Sequence, residues 1–298
     1  MTPRDHIVAA TDFSAPARHA VDRAARLAHE TGAALTLMHV LPGGALQELR
    51  QWLGAGHAME QQLHDSTRQQ LRQLADELKA TRQVTAQTVH SIGSVLDDIL
   101  VEASVLDAAL VVLGARGAGF MRRMVLGSTS ERLLRRTTRP VLVVRQTPHA
   151  PYRRVLVALD FSPWSAQAIR LARRMAPHAR LLLLLHVYQV PFEEKLQFAG
   201  VDTATIDHYR QQARTEATRR VHALAAASGL KPGHWEPCIV EGDASQRILE
   251  HEQDKDCDLV VLGKHGQSAA EDLLLGSVSK HVLAEGSTDV LVSTARVA

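Results

Sequence analysis

One three-glycine spacing occurs twice in this chain, in register, and constrains the fold more than any bulk property. The first copy is Gly114-Ala115-Arg116-Gly117, nine intervening residues, then Gly127-Ser128. The second is Gly263-Lys264-His265-Gly266, again nine residues, then Gly276-Ser277. Each follows a Val-Val-Leu run, and all three glycines shift by one offset (263−114, 266−117 and 276−127 are each 149). Asp12-Phe13-Ser14 recurs as Asp160-Phe161-Ser162, His39-Val40 as His186-Val187, and Gly93 as Gly242. A lone Gly-x-x-Gly arises easily by chance; a spacing repeated together with its flanking strand marks a tandem duplication. The 298 residues therefore divide into two domains, 1–147 and 152–298, of ordinary domain size. The segment between them, Thr147 to Tyr152 with Pro148 and Pro151, reads as a linker short enough to favour packed halves.

Within each half the periodicities alternate as β-α-β-α-β-α-β-α-β. His6–Ala10 predicts a buried strand, and Ala15–Glu30 a helix that Gly32 ends. Ala34–Val40 predicts the second strand and Pro42–Gly56 a glycine-rich loop carrying Trp52. A long polar helix over Met59–Lys79 has Leu63, Leu71, Leu74 and Leu78 on its buried stripe. Strands over Val84–His90, Ala108–Leu113 and Val141–Val144 complete the half, with helices over Val95–Ser104 and Ser128–Arg136; the second half repeats the plan. Strands alternating with helices mean parallel pairing with right-handed crossovers, hence an α/β fold with a doubly wound, five-stranded parallel sheet in each half. Ligands of such sheets sit beyond the carboxyl ends of the strands, where the winding reverses. Asp12 and Gly114 both stand at such ends.

The glycine loop has a chemical reading. Gly114 and Gly117 permit backbone angles and close approaches that a Cβ would block. Gly127 opens a helix, where unpaired amides and the helix dipole favour an anion, and Ser128, Thr129 and Ser130 add hydroxyls. The competing reading is a capping box, Ser128 with Glu131, which needs no ligand. Asp12 and Asp160 follow apolar strands, where a carboxylate can accept from a ribose or a base edge; the competing reading is an N-cap, which Ser14 or Ser162 also fits. No Gly-Lys-[Ser/Thr] closes the loop, so it is not a Walker A motif, and no Gly-x-Gly-x-x-Gly follows strand one, which disfavours NAD.

The Gly-x2-Gly-x9-Gly-[Ser/Thr] spacing, the acid after strand one and the β-α order resemble the universal stress protein family in its tandem form, over nearly the whole chain. The resemblance implies a strand order of 3-2-1-4-5 in each half and ATP, or ADP or AMP in its place, in the crevice between strands 1 and 4, with Mg2+ left open. It places the adenosine end at Asp12 and Val40, and at Asp160 and Val187. Phosphates and ribose fall to Gly114, Arg116, Gly117, Gly127, Ser128 and Thr129 in one half, and to Gly263, Gly266, Gly276 and Ser277 in the other. It also implies that fifth strands pair two domains, here within one chain, with a further homodimer open.

The halves differ in charge. Arg122 and Arg123 correspond to Glu271 and Asp272 (122+149, 123+149). From Arg116 to Arg139 there are seven arginines and one acid; from His265 to Thr288 there are three acids and one lysine. Arginine beside a polyphosphate is favourable and carboxylate is not, so the first half is expected to bind the more tightly. A net charge of +2 and 4% aromatic residues disfavour a nucleic-acid partner. Cys238 and Cys257 make no disulfide framework, and neither His57 with His64 nor His234 with Cys238 completes a metal set. With no secretory signal and no apolar run near the roughly 20 residues that span a bilayer, a cytoplasmic protein without membrane contact is expected. Function narrows to a regulatory or protective ATP-binding protein with little or no hydrolysis. The alternatives are a slow ATPase or nucleotidyl-transfer enzyme, and a nucleotide-free assembly scaffold. Neither a Ser-Gly-Gly-x-Asp-Ser loop nor a His-x-Gly-His signature is present, which leaves His265 as the one residue favouring an enzyme.

Overall fold

Buried apolar strands followed by capped helices wind each half into one parallel sheet with helices on both faces. The computed structural model describes residues 5–53, 57–115, 126–190, 195, 198–266 and 275–294. It separates into two compact units, Met1–Pro151 and Tyr152–Ala298. The first unit runs β1 (His6–Ala10), α1 (Ala15–Thr31), β2 (Ala34–Pro42), α2 (Gly43–Leu53), α3 (His57–Arg82), β3 (Ala86–Gly93), α4 (Val95–Val105), β4 (Leu110–Gly114), α5 (Ser128–Arg136) and β5 (Val141–Val144). The second runs β6 (Arg154–Leu159), α6 (Pro163–Met175), β7 (Leu181–Tyr188), α7 (Thr203–Ala227), β8 (Glu236–Glu241), α8 (Ala244–Asp254), β9 (Leu259–Gly263), α9 (Ser277–Glu285) and β10 (Asp289–Ser293).

The first sheet has the order β3-β2-β1-β4-β5 and the second the equivalent order β8-β7-β6-β9-β10. Every pairing within a unit is parallel, with Ile7 opposite Leu35 on β2 and Leu110 on β4, and Val155 opposite Leu182 and Leu259. The central strands are buried on both faces, so they read as continuous Val/Leu runs rather than alternating ones. In the first unit α1 and α3 pack together, as do α4 and α5; in the second, α6 with α7 and α8 with α9 repeat this. The chain leaves β1 in one direction towards β2 and β3, and returns on its other side through β4 and β5. The reversal opens a crevice at the carboxyl ends of β1 and β4.

The segment after β2 differs from expectation. It is not a loop: Gly43–Leu53 is helix α2, and Trp52 lies on it. Gly43 and Gly44 fall in its first turn, ahead of Ala-Leu-Gln-Glu-Leu-Arg-Gln, a run of strong helix formers, and Leu46 is buried. Among the described residues no helix is long and apolar enough to cross a membrane.

Candidate functional site

The turn after β1 is built by Asp12. Its Oδ1 accepts from the Ser14 amide at 3.0 Å and from the Ser14 hydroxyl at 2.5 Å, while Ser14 caps α1 by accepting from Ala17 N. Asp12 therefore shapes the turn rather than capping the helix. Phe13 between them sits at φ 61°, a left-handed conformation that a Cβ-bearing residue pays for. Phe161 repeats it at φ 61°, with Asp160 Oδ1 accepting from the Ser162 amide and the Ser165 hydroxyl, each at 2.9 Å. Each phenyl ring lies on a histidine from the next strand: Phe13 on His39, centroids 4.6 Å apart, and Phe161 on His186, 4.1 Å apart. Both histidines donate through Nδ1–H to a carbonyl at the end of the first strand, Thr11 and Leu159 respectively, each at 2.7 Å. A carbonyl only accepts, so the bond fixes the tautomer. Burial holds both imidazoles below the usual histidine range.

The opposite wall comes from the glycine loop. Gly127 N–H donates to Ala115 O at 2.9 Å, and Gly276 N–H to Lys264 O at 2.9 Å, so one backbone bond closes each loop at its base. Gly127 and Gly276 are the N-caps of α5 and α9, and neither helix has a side-chain cap. The capping box does not form. Ser128 is the first helical residue, and Glu131 pairs instead with Arg135 at 2.8 Å. Ser130 Oγ donates to Gly114 O at 3.1 Å and Ser279 Oγ to Gly263 O at 2.7 Å, tying each helix to the strand before its loop.

Between these walls lies a cavity of about 500 Å3 in the first unit. It is lined by Asp12, Val40, Gly114, Gly127, Ser128 and Thr129 of the expected residues, and also by Thr11, His39 and Ser130. The second unit has the equivalent cavity, about 410 Å3, lined by Asp160, Val187, Gly263, Gly266, Gly276 and Ser277, and by Ser165, His265 and Ser279. Arg116, Gly117, Phe120, Arg122, Arg123, Glu271 and Asp272 lie outside the described residues. The cavities place their polar groups differently: Thr11 and Thr129 of the first stand where the second has Leu159 and Val278, and Ala17 of the first stands where the second has Ser165. His265 is buried, its ring 5.2 Å from that of Trp164. Sequence reasoning named Ser130 among the hydroxyls at the start of its helix but passed over the counterpart Ser279, although Ser-x-Ser recurs at the same offset of 149 (277−128, 279−130).

One glycine has a different reason from the one expected. A Cβ on Gly114 would stand 2.9 Å from the carbonyl carbon and oxygen of Pro16 and 3.1 Å from Ala17 N. Gly114 is glycine so that the first turn of α1 can press on the end of β4. In the second loop the crowding is within the site: a Cβ on Gly266 would stand 3.2 Å from Asp160 Oδ2, and one on Gly276 3.3 Å from Lys264 O. Among the described residues no group of three or more His, Cys, Asp or Glu is arranged to hold a metal ion.

Comparison with known proteins agrees with this architecture. The profile of the universal stress protein family matches residues 3–145 and again 151–294. A universal stress protein of Mycolicibacterium smegmatis is 32% identical over 309 aligned residues, covering 96% of each chain. Among solved structures, a universal stress protein from Archaeoglobus fulgidus superposes with a TM-score of 0.69 at 18% identity, over 96% of this chain and 97% of that one. One described as a putative universal stress protein, from Pseudomonas aeruginosa, gives 0.64 at 20% identity over 97% and 93%. At these identities the structural likeness establishes the fold.

Proposed function

Since the chain belongs to the universal stress protein family, as a tandem of two such domains, we propose that one or both halves bind an adenine nucleotide and act in a stress response through binding rather than turnover. The single observation that carries this reading is the pair of uncapped helix N-termini. Both α5 and α9 begin at a glycine without a side-chain cap and open onto a cavity at the switch point of their sheet. Unpaired amides at the positive end of a helix dipole, with hydroxyls beside them, suit a phosphate. In this reading Gly114, Gly117, Gly127, Ser128 and Thr129, with Arg116, take the phosphates and ribose in the first half. Gly263, Gly266, Gly276 and Ser277 do so in the second. Asp12 with Val40, and Asp160 with Val187, take the adenosine end. ATP is the first choice and ADP or AMP the others; Mg2+, where present, rides on the phosphates. The proposal sets the protein in the cytoplasm, where such nucleotides are abundant.

The test is to denature protein purified without added nucleotide and identify what it releases by mass spectrometry, then to titrate stripped protein with ATP. Release of ATP at near one or two equivalents supports the reading. No release, with no heat of binding on titration, refutes it. A second reading, slow hydrolysis in the second half, is favoured by His265, an imidazole lining that cavity beside Gly266. Single-turnover assays of His265→Gln decide it: unchanged ADP formation removes His265 from any reaction.

A further inference from the structure

The first unit contains a column of imidazoles that the nucleotide reading leaves unused. Behind the cavity wall formed by His39, the ring of His90 on β3 stacks at a centroid distance of 6.0 Å, and His64 of α3 meets His90 edge-on at 4.4 Å. His39 and His90 face each other across the β2–β3 register. With Phe13 on the far side of His39, four rings run from the turn after β1 to the underside of α3. Both ring nitrogens of His90 are buried, and neither has a hydrogen-bond partner. A neutral imidazole tolerates that position at a cost, whereas an imidazolium there has two buried donors and no acceptor.

The groups acting on His90 all oppose a positive charge. They are His64 and Arg68 from α3 and His39 from β2, after burial itself, and together they push its pKa down to about 4. From α4, Asp98 is engaged with the hydroxyl of Ser91 at 2.7 Å; Ser91 follows His90 and so points to the opposite face of β3. Glu48 of α2 is exposed, and Asp65 approaches His64 Nδ1 no nearer than 4.0 Å. No described carboxylate compensates a proton on His90.

The cover over the column is weakly anchored. The buried apolar anchors of α3 are Leu71, Leu74, Ala75 and Leu78, all in its second half. In the described part of its first half Leu63 and Met59 are exposed, and Thr67, whose hydroxyl is taken by Leu63 O, is the one buried residue. His64 on His90 is thus a main contact of that half. Helical segments with few buried apolar contacts open first.

We propose that the His39–His90–His64 column is an acid-sensitive support of the first site: a proton entering it drives the first half of α3 off β3 and loosens the His39 wall, so that the first half loses its ligand on acidification while the second half does not. The second unit supplies the internal contrast, because Ile239 stands opposite His186 where His90 stands opposite His39. The sign follows from linkage. His90 has its pKa depressed in the docked state, so the released state binds more protons between about pH 6.5 and pH 4, and docking weakens as pH falls through that window. At pH 5 the shift alone lowers the ratio of docked to released helix by about 30-fold, or roughly 10-fold once partial exposure screens the charge.

The ligand part of this inference rests on the nucleotide reading; the helix part does not, and the experiment separates them. Hydrogen–deuterium exchange of the full chain, corrected for intrinsic rate, is followed in residues 59–70 at pH 7.5 and pH 5, for wild type and for His90→Ile, which copies the second unit. Roughly 10-fold loss of protection in wild type at pH 5, absent from His90→Ile, is expected. Equal protection at both pH values, or equal loss in both proteins, overturns the proposal. ATP affinity is measured on the same pairs, so that titration of ATP itself cancels. A fall confined to wild type is expected, and a fall shared by both proteins overturns the ligand part. Failure of either protein to bind ATP at pH 7.5 counts against the nucleotide reading and leaves exchange to decide the column. If His90→Ile does not fold, the imidazole resonances of wild type decide: a His90 titrating near 6.5 with α3 protected throughout overturns the proposal.

Discussion

Replacing Gly114 by alanine separates two reasons for a glycine that one motif presents as one. The added methyl carbon would stand 2.9 Å from both the carbonyl carbon and oxygen of Pro16, with Ala17 N at 3.1 Å. All three atoms are backbone in the first turn of α1, so no side chain can swing away. The strand end or the helix must move by several tenths of an ångström, against a core in which Ala17, Ala20 and Leu113 are buried. Overpacking of this kind costs about 1–3 kcal/mol. At about 2–4 °C per kcal/mol for a unit of this size, the melting temperature should fall by roughly 2–12 °C. Gly263→Ala meets the Cβ of Trp164 and His265 O, each at 3.1 Å, and should cost about 1 kcal/mol, nearer the lower end. The assay is thermal melting of both variants by circular dichroism, with ATP titration beside it. A Gly114→Ala protein that melts within about 1 °C of wild type but no longer binds ATP would refute the packing argument and return Gly114 to the ligand.

The charge difference between the loops is tested by Gly127→Val and Gly276→Val made separately, with the first expected to cost more ATP binding; equal losses would remove the asymmetry. Glu252 is buried and its Oε1 accepts from Ser287 N, the Ser287 hydroxyl and Thr288 N, so Glu252→Ala strands the buried Thr288 amide. A loss of about 2 kcal/mol in urea unfolding is expected, and no change would mean that water replaces the carboxylate. Burial pushes the Cys257 thiol up to about 12 and raises that of Cys238 as well, against the opposing charge of Lys255. Neither should react quickly with a disulfide reagent at pH 8 until urea is added; rapid native labelling of Cys257 would show that its pocket opens.

Most of the architecture was legible because it was written twice. Nearly equal offsets for the glycines, for Asp-Phe-Ser and for His-Val align the strand ends of one half with those of the other, and the cavities form between those ends. What the sequence left ambiguous has physical causes. Pro42–Gly56 reads as a loop because its four glycines outweigh the helix formers between them, although Gly43 and Gly44 fall in the first turn, where they cost a helix little. The Ser128–Glu131 spacing fits a capping box, but a cap depends on the backbone angles of the preceding residue. Gly127, at φ −62° and ψ 145°, takes the cap position itself and moves Ser128 into the helix. The imidazole column was beyond reach for another reason. His39, His90 and His64 belong to three elements, and only the β2–β3 register together with the seating of α3 brings them into one line. Ile239 in the equivalent register of the second unit makes His90 a departure from the repeat, invisible to a search for what the halves share. Duplication therefore exposes the common chemistry of the two sites and conceals their differences. In the described residues those differences run both ways: Thr11 against Leu159, Thr129 against Val278 and His90 against Ile239, but also Ala17 against Ser165 and Ala115 against Lys264. The first three differences place the polar group in the first half and the last two place it in the second, so each site carries its own set of polar groups and the imidazole column is particular to the first.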